Sequence, residues 1–144
     1  MEKNVEIVTK AFKLFEAGKV DQFDQYMHEN IVEHTPDPAF TSNKKGLEYF
    51  KEIGQTYFDA MSDFKIEIQQ VLNCENKVVV LSNFKGKHTG NLFDIEPTNK
   101  NISFTNIDIF TIENGMITEH WGVGDNLGML MQMGVITEKE LSSH

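Results

Sequence analysis

The stretch Gly115-Met-Ile-Thr-Glu-His-Trp-Gly-Val-Gly-Asp-Asn-Leu-Gly-Met-Leu-Met-Gln-Met-Gly134 determines how this chain folds. It follows a turn signal at Asn114-Gly115 and alternates like a strand from Met116 to Val123. The apolar run that begins at Asn126 ends in Gly134, which is typical of a short helix with a glycine cap. Asp125 is therefore predicted to stand where a strand ends and a helix begins.

Asp125 has two interpretations. One is a cap for the following helix, a position that Asp favours. The other is a general acid/base catalyst, because a carboxyl group held beside Trp121, Val123 and a Met-rich helix loses solvation, which favours its protonated form. On the residues of this stretch alone, the helix cap is the favoured interpretation.

Strand alternation assigns the side chains of this stretch to two faces. One face is predicted to carry Ile117, Glu119, Trp121, Val123 and, if no bulge intervenes, Asp125. Thr118 and His120 then lie on the opposite face, which places His120 outside the main site and towards a subunit contact. The proviso for Asp125 concerns Gly122 and Gly124, because glycine inside a strand often marks a bulge.

The composition favours one globular domain over residues 1–144. The chain has 144 residues, 40% hydrophobic content and 11 Phe, enough to bury a core. Its 13 basic and 22 acidic side chains give a net charge of -9, which argues against nucleic acid or an anionic membrane as partner. A small, weakly charged molecule is the expected ligand.

Cysteine usage and hydropathy narrow the class of protein further. Cys74 is the single cysteine, so an internal disulfide and a cysteine-based metal site are excluded. The N-terminal residues have no apolar signal core, and no apolar run has the length of a membrane span. These features predict a cytoplasmic protein.

The order of the elements predicts an α+β fold, with helices first and an antiparallel sheet afterwards. A helix is expected over residues 3–17, a short second helix from Val20, and an extended piece over residues 30–36. A long helix follows, capped by Thr41-Ser-Asn43, with Tyr57 in its buried stripe. The pattern then changes to alternation, which predicts strands over residues 64–72, 78–89, 103–112 and 116–123.

Several side chains of these elements are candidates for a pocket between the helices and a curved sheet. Phe104, Asn106 and Asp108 share one face of the third of these strands, so Asp108 is a second candidate acid or else an exposed strand residue. His88 is expected to face inward, either as a catalyst or as a satisfied core histidine. His34 precedes a loop and is placed at the pocket mouth. Met129 is either an adaptable pocket wall or core filler.

Other catalytic motifs are absent from the sequence. It contains no glycine-rich phosphate loop, no Gly-x-Ser-x-Gly nucleophile elbow and no His-Glu-x-x-His. The histidines lack the spacing of metal ligands, so no metal is expected.

Three segments in order resemble the SnoaL-like polyketide cyclases and their ester-cyclase relatives. They are Ile31-Val-Glu-His-Thr-Pro36, then Gly86-Lys-His-Thr-Gly90 followed by Pro97-Thr-Asn-Lys100, and finally Asn114-Gly-Met-Ile-Thr-Glu-His-Trp121 with Asp125 and Leu127-Gly-Met-Leu-Met-Gln-Met-Gly134. The resemblance extends over nearly the whole chain. Asn99 is a departure, since the family usually has Gly at this point.

The resemblance implies a cone-shaped α+β fold of the nuclear transport factor 2 type, a homodimer, and catalysis without a cofactor. It places Asp125 at the family's acid/base position and His34, His88 and Trp121 at other pocket positions. A cyclase of this type removes a proton from a carbon between carbonyl groups, and the enolate closes a ring by an intramolecular aldol step. The implied substrate is a small apolar carbonyl compound.

Two alternatives remain open from the sequence. The segment around Asp108 also resembles the part of ketosteroid isomerase that carries a protonated oxyanion-hole acid, with His34 near that family's general base. Ala11-Phe12 stands where that family has a tyrosine, which argues against a steroid isomerase. The alternative is therefore a related isomerase or dehydratase that also transfers protons. The other alternative is a domain that binds a small apolar ligand without catalysis, because a fold does not determine a function.

Overall fold

The computed structural model describes residues 2–142. Four α-helices are present in this part of the chain, and a 3-10 helix covers Val20–Gln25. The helices are α1 (Glu2–Glu16), α2 (Leu47–Ala60), α3 (Asn126–Met133) and α4 (Glu138–Ser142). The strands are β1 (Met27–Glu33), β2 (Met61–Cys74), β3 (Lys77–His88), β4 (Asn101–Glu113) and β5 (Met116–Gly124). The predicted α+β class is confirmed.

The five strands form one curved sheet in the order β1-β5-β4-β3-β2. Strands β2 to β5 follow one another as antiparallel neighbours, and β1 pairs parallel to β5 at the edge. Register shifts in β2 lie between Ser62 and Lys65 and between Ile68 and Gln70. Bulges of this kind bend and twist a strand, so they help to curl the sheet around α1 and α2.

A bulge in β5 determines which side chains face the concave side. Thr111 pairs with Glu119, but its neighbour Ile112 pairs with Ile117, so Thr118 is an extra residue without a partner on β4. Because one inserted residue reverses the alternation, Ile117 and His120 face inward while Glu119 and Trp121 face outward. Glu119 and Trp121 lie opposite His120 as predicted, but Ile117 does not share their face, and the face that points inward is that of His120 rather than that of Trp121. No register shift occurs at Gly122 or Gly124.

The core lies between the helices and the concave face of the sheet. Helix α1 buries one stripe there, since Ile7, Val8, Ala11 and Phe12 are buried. Phe12 meets Phe110 of β4 edge-on, with ring centroids 5.6 Å apart. Tyr57 of α2 packs in the same way on Phe84 of β3 at 6.1 Å. Such aromatic pairs add about 1 kcal/mol each to the burial of their area.

Two local predictions concern helix and loop geometry. The prediction that Thr41-Ser-Asn43 caps the long helix is wrong, because α2 begins at Leu47 after Gly46. Gly46 has φ 61°, and a Cβ there would lie 2.5 Å from the Glu29 carbonyl oxygen, so a close approach to β1 sets where the helix starts. Asn99 has φ 59°, a conformation that glycine adopts readily and Asn tolerates.

Within residues 2–142, no helix has the length and apolar character needed to cross a membrane.

Candidate active site

A cavity of about 430 Å³ lies between α1, α2 and the concave face of the sheet. Most of its wall is apolar, and aromatic rings dominate it: Phe12, Phe15, Tyr49, Phe50, Tyr57, Phe84 and Phe110. The loop over residues 35–38 and the end of β5 complete the wall. The volume is in the range of small-molecule sites, so the cavity suits a ligand of modest size and low polarity.

Three polar side chains are joined in the wall of this cavity. His120 Nδ1 lies 2.6 Å from Glu33 Oε2, and His120 Nε2 lies 2.7 Å from Asp108 Oδ1. The side chains of Glu33, Asp108 and His120 are 13%, 14% and 13% exposed. We call these residues the Glu33–His120–Asp108 triad.

Three adjacent strands hold the triad. Glu33 ends β1 and is the register partner of His120 in β5. Asp108 of β4 is the register partner of Gly122, two residues further along β5 on the same face. The bulge at Thr118 turns His120 inward, so its ring lies between the two carboxylates. Phe50 and Phe110 flank the ring at centroid distances of 5.5 Å and 5.0 Å.

Gly122 leaves the space that the triad occupies. A Cβ at this position would lie 2.6 Å from Asp108 Oδ1 and 2.8 Å from His120 Cε1. Gly124 does the same for Asn106, whose Oδ1 would be 2.3 Å from a Cβ. The glycines of Gly122-Val-Gly124 therefore make room for polar side chains of β4 that lie across them.

The environment of the triad favours a charged histidine. Burial alone lowers the pKa of His120, but its hydrogen bonds to Asp108 and Glu33 outweigh this effect and raise the pKa to about 9. For Glu33, burial raises the pKa, while the hydrogen bonds from His120 and Thr35 outweigh burial and bring it below its ordinary value. Near neutral pH the His120 ring is thus an imidazolium and Glu33 a carboxylate.

Other polar groups line the same cavity. The pKa of Tyr57 is raised above the ordinary value chiefly because the side chain is buried, and a hydrogen bond to the Asp37 side chain adds to this effect, so the hydroxyl is protonated at any working pH. The Tyr49 hydroxyl accepts a hydrogen bond from the Asp37 backbone N–H at 3.2 Å. Asn106 and Asp37 also contribute to the wall. The structure thus places Tyr57, Asn106 and Asp108, all candidates from the sequence, at one cavity.

Asp125 does not lie in this cavity. It is exposed and precedes α3, where its Oδ1 accepts a hydrogen bond from the Gly128 N–H at 2.9 Å. This is the helix-cap interpretation, and the acid/base interpretation of Asp125 is corrected. The physical reason is that the chain turns outward at the end of β5 to begin α3, which leaves the carboxylate in solvent.

His34 and Trp121 lie on the outer face of the sheet. Their rings stack with centroids 4.3 Å apart, and His34 Nε2 is 2.9 Å from Glu119 Oε2. Lys77 Nζ lies 4.9 Å from the centre of the Trp121 ring. The prediction that His34 and Trp121 line the pocket is therefore wrong. The bulge at Thr118 turns the Trp121 side chain outward, and His34, which follows β1, stacks on it there.

His88, Phe104 and Met129 are buried in the core beside the cavity. The Thr98 N–H donates to His88 Nδ1 at 3.3 Å, and burial lowers the pKa of His88, so the ring is neutral. His88 is thus a core histidine by position but not a satisfied one, because its buried Nε2 forms no hydrogen bond of normal geometry within residues 2–142. Phe104 packs behind the cavity on Phe84 and Tyr57, at 5.7 Å and 6.3 Å, and Met129 is core filler.

Glu33 was not among the candidates from the sequence, and His120 was predicted to lie outside the site. A signal was present in the pattern Gly122-x-Gly124, since two glycines on one strand face leave room for long polar side chains of the neighbouring strand.

Among residues 2–142, no group of three or more His, Cys, Asp or Glu is arranged to hold a metal ion. In the triad both ring nitrogens of His120 are already engaged by carboxylates.

Comparison with known proteins agrees with this fold. The model of the SnoaL-like polyketide cyclase family matches residues 5–133. TsrD from Streptomyces laurentii has a similar structure, with a TM-score of 0.82 and 24% identity over 92% of this chain and 96% of that chain. A Bacillus cereus protein provisionally named a polyketide cyclase has a TM-score of 0.79 and 27% identity, over 94% of this chain and 83% of that chain. A SnoaL-like polyketide cyclase from Agrobacterium tumefaciens has a TM-score of 0.74 and 15% identity, over 93% of this chain and 100% of that chain.

No curated protein matches the chain in sequence. The family match nevertheless covers most of the chain, and the curved sheet with its helices is the fold that these structures share. The family resemblance stated from the sequence is confirmed. This chain belongs to the SnoaL-like polyketide cyclase family.

Proposed function

We propose that the chain is a cofactor-independent acid/base enzyme of the cyclase type that acts on a small apolar carbonyl compound. The observation that carries the proposal is the Glu33–His120–Asp108 triad in the wall of an aromatic cavity. Charged groups are costly to bury, and sites that perturb the pKa of buried groups in a cleft are candidates for catalysis. Membership of the family supports the reaction class.

Asp108 is the proposed base. One of its carboxylate oxygens accepts from His120, and no hydrogen bond within residues 2–142 engages the other, Oδ2. Both Glu33 oxygens are engaged, Oε2 by His120 and Oε1 by Thr35. Of the four carboxylate oxygens of the triad, Asp108 Oδ2 is therefore the one that is free to meet a ligand.

The proposed reaction conserves atoms and needs no electron transfer. Asp108 takes a proton from a carbon between two carbonyl groups. The resulting enolate carbon attacks the carbon of a further carbonyl group elsewhere in the same molecule. The new alkoxide receives the proton back from Asp108. The Tyr57 hydroxyl donates to the enolate oxygen, and the imidazolium of His120 offsets the cost of the buried Asp108 carboxylate.

Proton exchange at a carbon acid tests the proposal without knowledge of the natural substrate. Aromatic 1,3-dicarbonyl compounds are incubated with the protein in deuterated water, and loss of the carbon-bound proton is followed by NMR. We expect accelerated exchange with the wild type and a loss of roughly 10²-fold or more in Asp108→Asn, because general-base catalysis is removed. Asp125→Asn is the matched control, an acid-to-amide change outside the cavity, and retains the rate.

Binding without exchange would contradict the enzyme and favour the ligand-binding domain. A second enzymatic candidate shares the observation that a carboxylate, Asp108, and a neutral phenol, Tyr57, line one apolar cavity. This combination also suits movement of a double bond into conjugation with a ketone. A β,γ-unsaturated ketone in the same panel distinguishes the two, since its conjugated product absorbs in the ultraviolet.

We also propose that the protein is a homodimer through the outer face of the sheet. Ile107 and Val123 are register partners on β4 and β5 and are 50% and 73% exposed. Contiguous exposed apolar side chains are typical of an interface. Light scattering after gel filtration is expected to give twice the chain mass, and Ile107→Glu is expected to give a monomer. A monomeric wild type would contradict the dimer.

A further inference from the structure

Thr35 links the edge of the sheet to the triad through three hydrogen bonds. It lies two residues beyond Glu33, at the start of the loop over residues 35–38 that lines the cavity. Its backbone N–H and its hydroxyl both reach Glu33 Oε1, at 2.9 Å and 3.1 Å. The Gly122 N–H reaches the Thr35 hydroxyl oxygen at 2.7 Å.

The direction of these bonds follows from the chemistry of the groups. The Gly122 N–H can only donate, so the Thr35 oxygen accepts from it. The hydroxyl has one proton, and the ionised Glu33 carboxylate can only accept, so that proton is directed to Glu33. The Thr35 hydroxyl is thus a fixed bridge between the β5 backbone and Glu33.

This bridge reaches the triad through the Glu33 oxygen that does not contact His120. Glu33 Oε1 is held by Thr35, which leaves Oε2 directed at His120 Nδ1. Gly122 is the residue whose missing side chain makes room for the His120–Asp108 hydrogen bond. The Thr35 hydroxyl therefore contacts both Glu33, on one side of His120, and the Gly122 backbone, which lies next to Asp108 on the other side.

We propose that Thr35 is a positioning residue that holds Glu33 in the orientation required for the triad. The inference rests on the proposed function, in which the triad carries out proton transfer. Thr35 acts through Glu33 and His120, so its removal is expected to alter the protonation of His120 and the pH dependence of exchange rather than ligand binding.

The experiment is an NMR titration of the His120 ring in the wild type, Thr35→Val and Thr35→Ser. Valine has nearly the same shape but lacks the hydroxyl, so Glu33 Oε1 keeps only the hydrogen bond from the backbone N–H of residue 35, and the Gly122 N–H loses its acceptor. We expect the His120 pKa to be lowered in Thr35→Val and restored in Thr35→Ser. The other titratable groups at this cavity, Asp108, Asp37, Tyr49 and Tyr57, are the same in all three proteins.

Exchange rates across pH provide the second readout. The alkaline limb of the profile is expected to move with the His120 pKa in Thr35→Val, while the dissociation constant of the dicarbonyl probe changes less than twofold. If the pKa of His120 in Thr35→Val equals that of the wild type, the inference is overturned. If Thr35→Val does not fold, the same titration of Thr35→Ala decides, and a wild-type titration there overturns it equally.

The two proposals fail in different ways. If the wild type does not exchange protons but Thr35→Val still lowers the His120 pKa, the proposed function is wrong and the positioning of Glu33 stands. If the wild type exchanges protons and Thr35→Val has the wild-type profile, the positioning role is wrong and the proposed function stands.

Discussion

Glu33 and His120 are register partners in the parallel pairing of β1 with β5, and their side chains are joined by a hydrogen bond of 2.6 Å. The pairing places a carboxylate beside an imidazole at the end of an edge strand, and Asp108 approaches the same ring from the antiparallel neighbour on the other side. The charged site of this chain thus depends on contacts across three strands rather than on a local motif.

The raised pKa of His120 predicts a stability that depends on pH. Below about pH 6.5 the imidazole is protonated in both the folded and the unfolded chain, so its contribution is fully present. Between about pH 6.5 and the folded pKa of about 9, the unfolded chain gives up its proton first, so the contribution falls as pH rises and is lost above that range. The total is at most about 3 kcal/mol.

Urea unfolding across this range measures the effect. The wild type is expected to lose free energy of unfolding with rising pH more steeply than His120→Gln, which has no titrating ring. Parallel slopes for the two proteins would contradict the raised pKa.

Gly122→Ala is expected to separate His120 from Asp108. A Cβ at position 122 would lie 2.6 Å from Asp108 Oδ1, too close for the present arrangement. We expect a lowered His120 pKa and a loss of proton exchange of roughly 10²-fold, comparable to removal of the general base. NMR titration and the exchange assay check both.

Gly124→Ala is the matched control for this change. The same substitution two residues later displaces Asn106 instead of the triad. Its His120 titration is expected to stay that of the wild type, and an equal change in both variants would show that the effect comes from general strain in β5.

Asp125→Ala is expected to destabilise the protein by about 1 kcal/mol without loss of proton exchange, because it removes the cap of α3. Asp125→Asn keeps an acceptor oxygen at the cap and is expected to retain most of that stability. Thermal and urea unfolding measure the difference. Loss of exchange in both variants, with folding intact, would return Asp125 to the catalytic role that the resemblance implied.

Tyr57→Phe is expected to lower the rate of proton exchange by roughly 10²-fold, because it removes the proposed donor to the enolate oxygen. The ring remains, so its contacts with Phe84 and Phe104 are kept. Tyr26→Phe, which removes a hydroxyl away from the cavity wall, serves as control. An unchanged rate in Tyr57→Phe would assign enolate stabilisation to another group.

Much of the architecture could be predicted from local patterns. The change from helical to alternating spacing marks the start of the antiparallel sheet at residue 64, three residues after β2 begins at Met61, and Asn114-Gly115 marks the β4–β5 hairpin. The inward face of β3 was also predicted, since His88 is buried, and the choice left open for Asp108 falls on the cavity side. These predictions succeed where alternation runs without interruption.

The membership of the site was predicted only in part. Tyr57, Asn106 and Asp108 lie on uninterrupted elements and reach the cavity as expected. The family position of Asp125 and the proximity of His34 to the loop both suggested pocket residues, yet the first caps a helix and the second stacks on Trp121 outside. A residue type at a familiar position does not specify where its side chain points.

The sequence by itself determined the order of helices and strands, the apolar stripes that form the core and the membership of the family, because each of these depends on neighbours along the chain. Only the tertiary structure decided that His120 belongs to the site and Trp121 does not. The reason is one extra residue, Thr118, opposite β4. Whether a strand bulges depends on how it pairs with its neighbour, and a single bulge reverses every side chain beyond it.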